Sequence, residues 1–333
     1  MTRRETVQQP VGEESSRALW FEEPGRCVHR KEPLPPKRED DVLIRTLYSG
    51  ISRGTELLIF RGQVPESEYQ RMRAPHQAGQ FPFPVKYGYA AVGVIEEGPE
   101  AAIGRLVFCL HPHQDRFRVP ASAVHTLPQN LPPQRAVLAA NMETALNIIW
   151  DGGIQPGDRV AVFGAGVVGL LVAWIASRIA GTEVMISDIE PERAEIARAL
   201  GLHFVLPEAM QDDCDVLINA SASSAALAKA LSHAGFEARI VEASWYGERH
   251  VELPLGNAFH AKRLSIVSSQ VGALPPGRRA RWDTHRRMTK ALELLDEDRL
   301  DHLISGETSF ETMDHDYPGI IGSSATLCHR IRY

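Results

Sequence analysis

Residues Asp158–Asp188 read D-R-V-A-V-F-G-A-G-V-V-G-L-L-V-A-W-I-A-S-R-I-A-G-T-E-V-M-I-S-D. Arg159 to Phe163 is a short apolar run of the kind a buried parallel strand needs. Gly164-Ala165-Gly166-Val167-Val168-Gly169 follows. Leu170 to Ala180 then predicts an apolar helix, and Glu183 to Ser187 a second strand that ends at Asp188. Strand, glycine turn, helix, strand and acid are the parts of a dinucleotide-binding βαβ unit, in order. Gly164 serves the tight turn, Gly166 lets the backbone approach a pyrophosphate, and Gly169 lets the helix pack on the strand. The N–H groups at the helix start and the positive end of its dipole then face the phosphates, so residues 164–169 as a whole are expected to cradle them. Asp188 stands where a carboxylate accepts hydrogen bonds from the adenosine ribose and repels a 2′-phosphate, which predicts NAD rather than NADP.

Working outward, 333 residues allow two domains. A net charge of −6 gives no electrostatic case for nucleic acid or an anionic membrane as partner. No apolar run approaches the roughly 20 residues of a membrane span. The start, M-T-R-R-E-T-V-Q-Q-P-V-G, lacks the apolar core of a signal peptide, so residues 1–17 are expected to be a flexible tail. Cys27, Cys109, Cys214 and Cys328 are widely spaced, which argues against disulfides or a cysteine-built zinc knuckle and fits a reducing cytoplasm.

Residues 18–150 read as a domain of short strands. A strand pair turns at Pro24-Gly25, Asp41 to Leu47 is a strand, and residues 62–84 form a long irregular loop. Val85 to Glu97 reads as one strand, and Arg135 to Trp150 as a helix. The α/β alternation continues over 151–283, with a last strand from Ser265 to Val271. Residues 284–333, helix then strand, are expected to return to the first domain. The fold class is therefore α/β, a Rossmann cofactor domain beside a mostly-β domain, with the ligand at the carboxyl ends of the parallel strands.

With these parts in place, the chain resembles the medium-chain dehydrogenase/reductase superfamily, the alcohol dehydrogenase-like enzymes. The resemblance rests on domain order, on Gln155-Pro156-Gly157-Asp158 before the glycine turn, on the glycines themselves, and on E-P-E-R-A-E-I-A-R-A-L-G over Glu190–Gly201. It implies a GroES-like catalytic domain, a nicotinamide cofactor, a small-molecule substrate and a homodimer joined through edge strands. The zinc chemistry of the family is not matched. Where zinc-dependent members carry G-I-C-G-T-D, this chain has Gly50-Ile51-Ser52-Arg53-Gly54-Thr55-Glu56, and where they carry G-H-E it has Gly88-Tyr89-Ala90. The four-cysteine lobe is missing from the sequence, and only Glu143 is left as a possible acidic ligand, which alone does not make a zinc site. The G-I-S-x-G-T-E variant locally resembles a zinc-lacking branch that includes bacteriochlorophyllide dehydrogenase, whose substrate is not carried over.

A zinc-free enzyme of this kind needs protein groups that polarise a carbonyl or take a hydroxyl proton. Thr55 aligns with the family's proton-relay hydroxyl, and Tyr89 takes the place of the zinc histidine. Tyr89 is then either a proton donor or a filler of the space zinc leaves. Lys86 is expected to lower the Tyr89 pKa if the two meet, and Glu56 either orients neighbours or forms a surface salt bridge. His111 and His113 alternate on one face of an extended segment, and with His76, Asp115 or Glu143 they form the one improvised metal site to consider. Arg61, Arg71 and Arg73 are candidate clamps for an acidic substrate. Arg278, Arg279, Arg281, Arg286 and Arg287 read as solvated surface. The expectation is a zinc-independent, NAD(H)-dependent oxidoreductase interconverting an alcohol and a carbonyl. The alternative is a catalytically weak nucleotide-binding or sensor protein on the same fold.

Overall fold

The computed structural model describes residues 14–333. Most of the expected 1–17 tail lies outside these residues. Its last part does not, because the first strand, Ser15–Glu23, begins inside it.

Arg159–Phe163 lies inside a six-stranded parallel sheet whose spatial order is His203–Val205, Glu183–Ser187, Arg159–Phe163, Cys214–Asn219, Ala234–Glu242, Ser265–Ser268. The strand of this sheet that comes first in the chain is thus third in space, and the crossovers on its two sides leave in opposite directions. Period-two alternation explains why its run is apolar throughout. Val160 and Val162 point into a core shared with helices Ala139–Gly152 and Val167–Ala176. Ala161 and Phe163 point into a second core against helix Ser224–His233. Ser265–Ser268 is paired on one side only, which leaves it as the edge.

The mostly-β part holds two sheets. In the seven-stranded one, Asp41–Ser52 is hydrogen-bonded to Ala91–Glu97, Arg116–Pro120 and Cys328–Arg332. Ile304–Ser309, in a stretch where no strand was expected, extends this sheet beside Cys328–Arg332. The four-stranded sheet joins Arg26–Pro33, Ser15–Glu23, Val85–Lys86 and Ala78–Gly79. The stretch Val85–Glu97, expected as one strand, therefore divides between two sheets. Gly88 makes the crossing at φ +122, and a Cβ there would stand 3.0 Å from the backbone nitrogen and the ring of His113.

The expected helix over 135–150 is likewise two: Pro133–Ala136, and Ala139–Gly152 closed by Gly153 at φ +65. Helix Thr284–Leu294 packs on Ala139–Gly152. Arg193, at the start of helix Arg193–Ala199, donates to the Ser324 and Ala325 carbonyls and so ties the C-terminal segment to the Rossmann half. No helix among the described residues is long and apolar enough to cross a membrane.

Candidate active site

A cleft of about 770 Å³ opens between the two halves at the carboxyl ends of the parallel strands. The three glycines of the turn meet it for three different reasons. Gly164 sits at φ +102, and a Cβ there would be 2.8 Å from the Ser221 backbone on the neighbouring crossover. A Cβ on Gly169 would be 1.9 Å from the Gly164 carbonyl oxygen. Gly166 is different: nothing lies within 4 Å of its Cβ position, which lines the cleft at the N-cap of helix Val167–Ala176. No protein atom requires glycine there, but a diphosphate resting on the helix start would. The Asp188 carboxylate accepts from the Ala165 N–H at 2.6 Å and the Glu190 N–H at 3.1 Å, which fixes it at the far end of the cradle. Beside it Ile189 is 79% exposed and lines the cleft, an apolar face of the kind a purine ring covers.

Arg53 also lines the cleft, and its buried Nε has no hydrogen-bond partner. Burial lowers its pKa first, and repulsion from Arg193 and Arg61 lowers it further. A half-buried cation whose Nε is buried without a partner is costly until an anion meets it. The open Cβ position of Gly166, the helix N-terminus, Asp188 and the Arg53 guanidinium together fit a dinucleotide.

At the other end, Ser52, Thr55, Tyr89 and Asn141 line the cleft together. Ser52 closes its strand and caps helix Arg53–Phe60, which carries Thr55 one turn on. Asn141 reaches across from helix Ala139–Gly152, and its Nδ2 donates to Ser52 Oγ at 3.0 Å. Tyr89 is half-buried, its open side on the cleft. Burial raises its pKa above the usual phenol value, the Glu56 charge adds to this, and the Ser52 and Thr55 hydroxyls beside it oppose the shift. The phenol is therefore a neutral donor at ordinary pH.

Glu56 stands behind this cluster with no exposed surface. Its Oε1 accepts the Ser52 N–H at 2.7 Å. Its Oε2 accepts the Tyr317 hydroxyl at 2.7 Å and pairs with His113 Nε2 at 3.0 Å. His113 Nδ1 meets Ser49 Oγ at 2.8 Å, and Ser49 Oγ meets the Tyr333 hydroxyl at 2.9 Å. A carboxylate so deeply buried survives only with such partners. The surface salt bridge considered for Glu56 is excluded. What it does is hold the backbone at Ser52, and with it the start of the helix that presents Thr55.

Residues 135–237 match the alanine dehydrogenase/PNT C-terminal domain family. An uncharacterized zinc-type alcohol dehydrogenase-like protein of Haemophilus influenzae is 24% identical over 294 residues, covering 77% of this chain and 84% of that one. Similarity to an alcohol dehydrogenase-like protein therefore extends over most of the chain. D-guloside 3-dehydrogenase of Escherichia coli is 25% identical over 77% of this chain and 81% of its own length. Among solved structures, L-idonate 5-dehydrogenase of Escherichia coli superposes with a TM-score of 0.79 at 12% identity, over 96% of this chain and 99% of that one. An Escherichia coli alcohol dehydrogenase complexed with NADH superposes with a TM-score of 0.77 at 18% identity, over 96% of this chain and 99% of that one. A zinc-binding dehydrogenase fold from Sinorhizobium meliloti, bound to NADP, gives 0.76 at 18% identity, over 96% of this chain and 100% of that one. At these identities the structures show the fold alone.

Compared with the motifs of zinc-dependent members of the superfamily, several expected residues lie elsewhere. Lys86 does not reach Tyr89: its Nζ donates to Glu32 at 2.7 Å and Gln114 at 2.9 Å, because the strand holding it belongs to the four-stranded sheet. Glu143 faces away from the cleft and pairs with Arg287 at 3.0 Å. Arg287, expected on the surface, is buried in that pair. His111 and His113 do not share a face. His111 stacks on Phe117 with ring centroids 3.7 Å apart, and its pKa is lowered, chiefly by burial, whereas His113 joins Glu56. Among the described residues no group of three or more His, Cys, Asp or Glu is arranged to hold a metal ion. Of the three candidate clamp arginines only Arg61 lines the cleft. Arg71 pairs with Glu68, and Arg73 donates to the Gly79 and Gln77 carbonyls. Asn141 and Arg53 are the residues that sequence reasoning missed.

Proposed function

We propose that the protein is a zinc-independent, NAD(H)-dependent oxidoreductase that interconverts a carbonyl and an alcohol of a small molecule. The observation that carries this reading is the Ser52–Thr55–Tyr89–Asn141 cluster of neutral donors at one end of a cleft whose other end fits a dinucleotide. The nicotinamide, when bound, supplies or accepts the hydride. The protein's part is to meet the charge that develops on the substrate oxygen. Preorganised donors in a partly desolvated site do so without a metal. Tyr89 donates to that oxygen. Its raised pKa keeps the proton in place until an alkoxide, a stronger base than phenolate, takes it. Thr55 and Ser52 stand beside the phenol and relay the replacement proton, while Asn141 holds Ser52 in position. Glu56, through His113 and Tyr317, keeps the Ser52 backbone fixed.

Asp188 supports NAD, since its carboxylate is anchored where a 2′-phosphate would approach. Residues 18–150 and 284–333 are taken as the catalytic domain and 151–283 as the cofactor domain. The one-sided strand Ser265–Ser268 supports a homodimer in which two such edges pair. Sedimentation at micromolar concentration is expected to give the dimer, and a monomer would remove that part.

The reading is tested by NADH consumption with a broad panel of aldehydes and ketones, beside NADH binding alone. Turnover with at least one carbonyl class supports it. Tight NADH binding with no turnover anywhere would leave a nucleotide-binding protein.

A further inference from the structure

The cleft carries more positive charge than a dinucleotide uses. Arg53, Leu57 and Arg61 recur at spacing four along helix Arg53–Phe60 and its C-cap, so they share a face. All three line the cleft. Arg249 lines it from the Rossmann half, on the loop after strand Ala234–Glu242. The two walls touch: a Cβ on Gly247 would stand 2.7 Å from the Gln63 carbonyl oxygen and 3.4 Å from the Leu58 side chain. Arg61 and Arg249 therefore sit on adjoining lips of one opening.

Neither has a carboxylate partner among the described residues. Arg249 donates from Nε to the Tyr246 carbonyl at 3.1 Å and lies over the Tyr246 ring, 5.4 Å from its centroid, which leaves its terminal nitrogens without a hydrogen-bond partner among the described residues. The acids that line the cleft are at the other end. Asp188 is held by backbone N–H groups, Glu190 follows two residues on, and Glu208 pairs with Lys229 at 3.1 Å. A chain of net charge −6 does not place cations here by composition alone. The phosphates do not account for them either. Arg53 lies beside Arg193 of the Rossmann half and also feels the charge of Arg61, whose backbone is two helical turns further on, about 12 Å along the axis. Between the arginines the wall is apolar, made by Leu57, Leu58 and Trp245.

We infer that Arg61 and Arg249 form an anion clamp at the substrate end of the cleft, so that the substrate carries an anionic group, carboxylate or phosphate, on an apolar body beside its reacting carbonyl or hydroxyl. This rests on the cleft being an oxidoreductase site. Guanidinium groups suit the role because they bind either anion with two parallel hydrogen bonds.

The test is calorimetric titration of NADH-saturated full-length protein with benzaldehyde, 4-carboxybenzaldehyde and 4-formylphenyl phosphate. Both anionic aldehydes are expected to bind at least about tenfold more tightly than benzaldehyde. The tighter of the two identifies the group. Arg61→Gln and Arg249→Gln should each reduce that preference about tenfold and leave NADH affinity unchanged. Equal binding of the three aldehydes overturns the clamp. So does a pair of variants that weaken NADH and leave the preference intact, since the arginines then belong to the dinucleotide. Anion preference without turnover sinks the oxidoreductase reading alone, and turnover of benzaldehyde without anion preference sinks the clamp alone.

Discussion

At the phosphate end of the cleft, the residues that shape the surface lie, Arg53 apart, within one βαβ unit, from Arg159 to Asp188. At the other end Ser52, Tyr89 and Asn141 come from a strand end, a loop between two sheets and the far side of a helix. The first surface is made of backbone, and glycine is specified by what a Cβ would strike or leave open. The second is made of side chains that meet only when the mostly-β half has folded against helix Ala139–Gly152, which packs on the parallel sheet. A local device can be read from local sequence. A convergent one has to be assembled before its members are known.

That contrast predicts a ranking of effects. The largest belongs to the side-chain cluster: Tyr89→Phe keeps the ring and removes the donor, so turnover should fall about 10²–10³-fold with NADH affinity unchanged. Near-normal turnover would reduce Tyr89 to a filler of space. Next come the glycines, which should separate. Gly169→Ala forces a methyl onto the Gly164 carbonyl and should cost up to about 3 kcal/mol of stability, seen as a lowered melting temperature. Gly166→Ala meets no protein atom, so it should melt like the parent and lose about tenfold or more in NADH affinity. Equal melting losses for both would break the distinction between a turn built for packing and one built for a ligand. A smaller change is expected from Asp188→Ala, which should narrow the preference for NADH over NADPH by about 1–2 kcal/mol in fluorescence titrations.

The legible part of the site follows the same division. Thr55 and Glu56 were readable because they fall in one short motif, and Tyr89 because it follows Gly88 where a zinc-binding histidine would stand; Ser52 was legible only as the residue in place of a zinc cysteine. Asn141 was missed for a geometrical reason. It sits on a helix read for its apolar spacing, and the charged Glu143 drew the attention. Two residues apart on a helix are about 200° apart, so only one of them faces the cleft. Asn141 does, with Thr144 one turn on, and Glu143 turns to Arg287. Lys86 was misplaced because nothing in Lys86-Tyr87-Gly88-Tyr89 announces that the chain leaves one sheet for another. His113 gave a signal, a histidine beside a proline. Its partner Glu56 is distant in sequence, so only the folded chain pairs them.

The buried phenols carry a weaker, global signature. Tyr87, Tyr89, Tyr246, Tyr317 and Tyr333 all have pKa values raised by burial first. Below about pH 10 both folded and unfolded chains keep these protons, so the contribution to stability is fully present. Above it the unfolded chain loses protons that the folded one retains, so stability should fall as pH rises. Melting curves from about pH 8 to 11 check this, and turnover should show no break from Tyr89 below about pH 10. A flat melting temperature through that range would mean that these hydroxyls reach water.

The most direct test of the central claim, hydride transfer served by protein donors alone, is metal content measured on the same sample as turnover. Protein purified without chelator or affinity metal should hold well under one zinc per chain and turn over carbonyl substrate at a rate that added zinc does not raise. Turnover that scales with about one tightly bound zinc per chain would contradict the account.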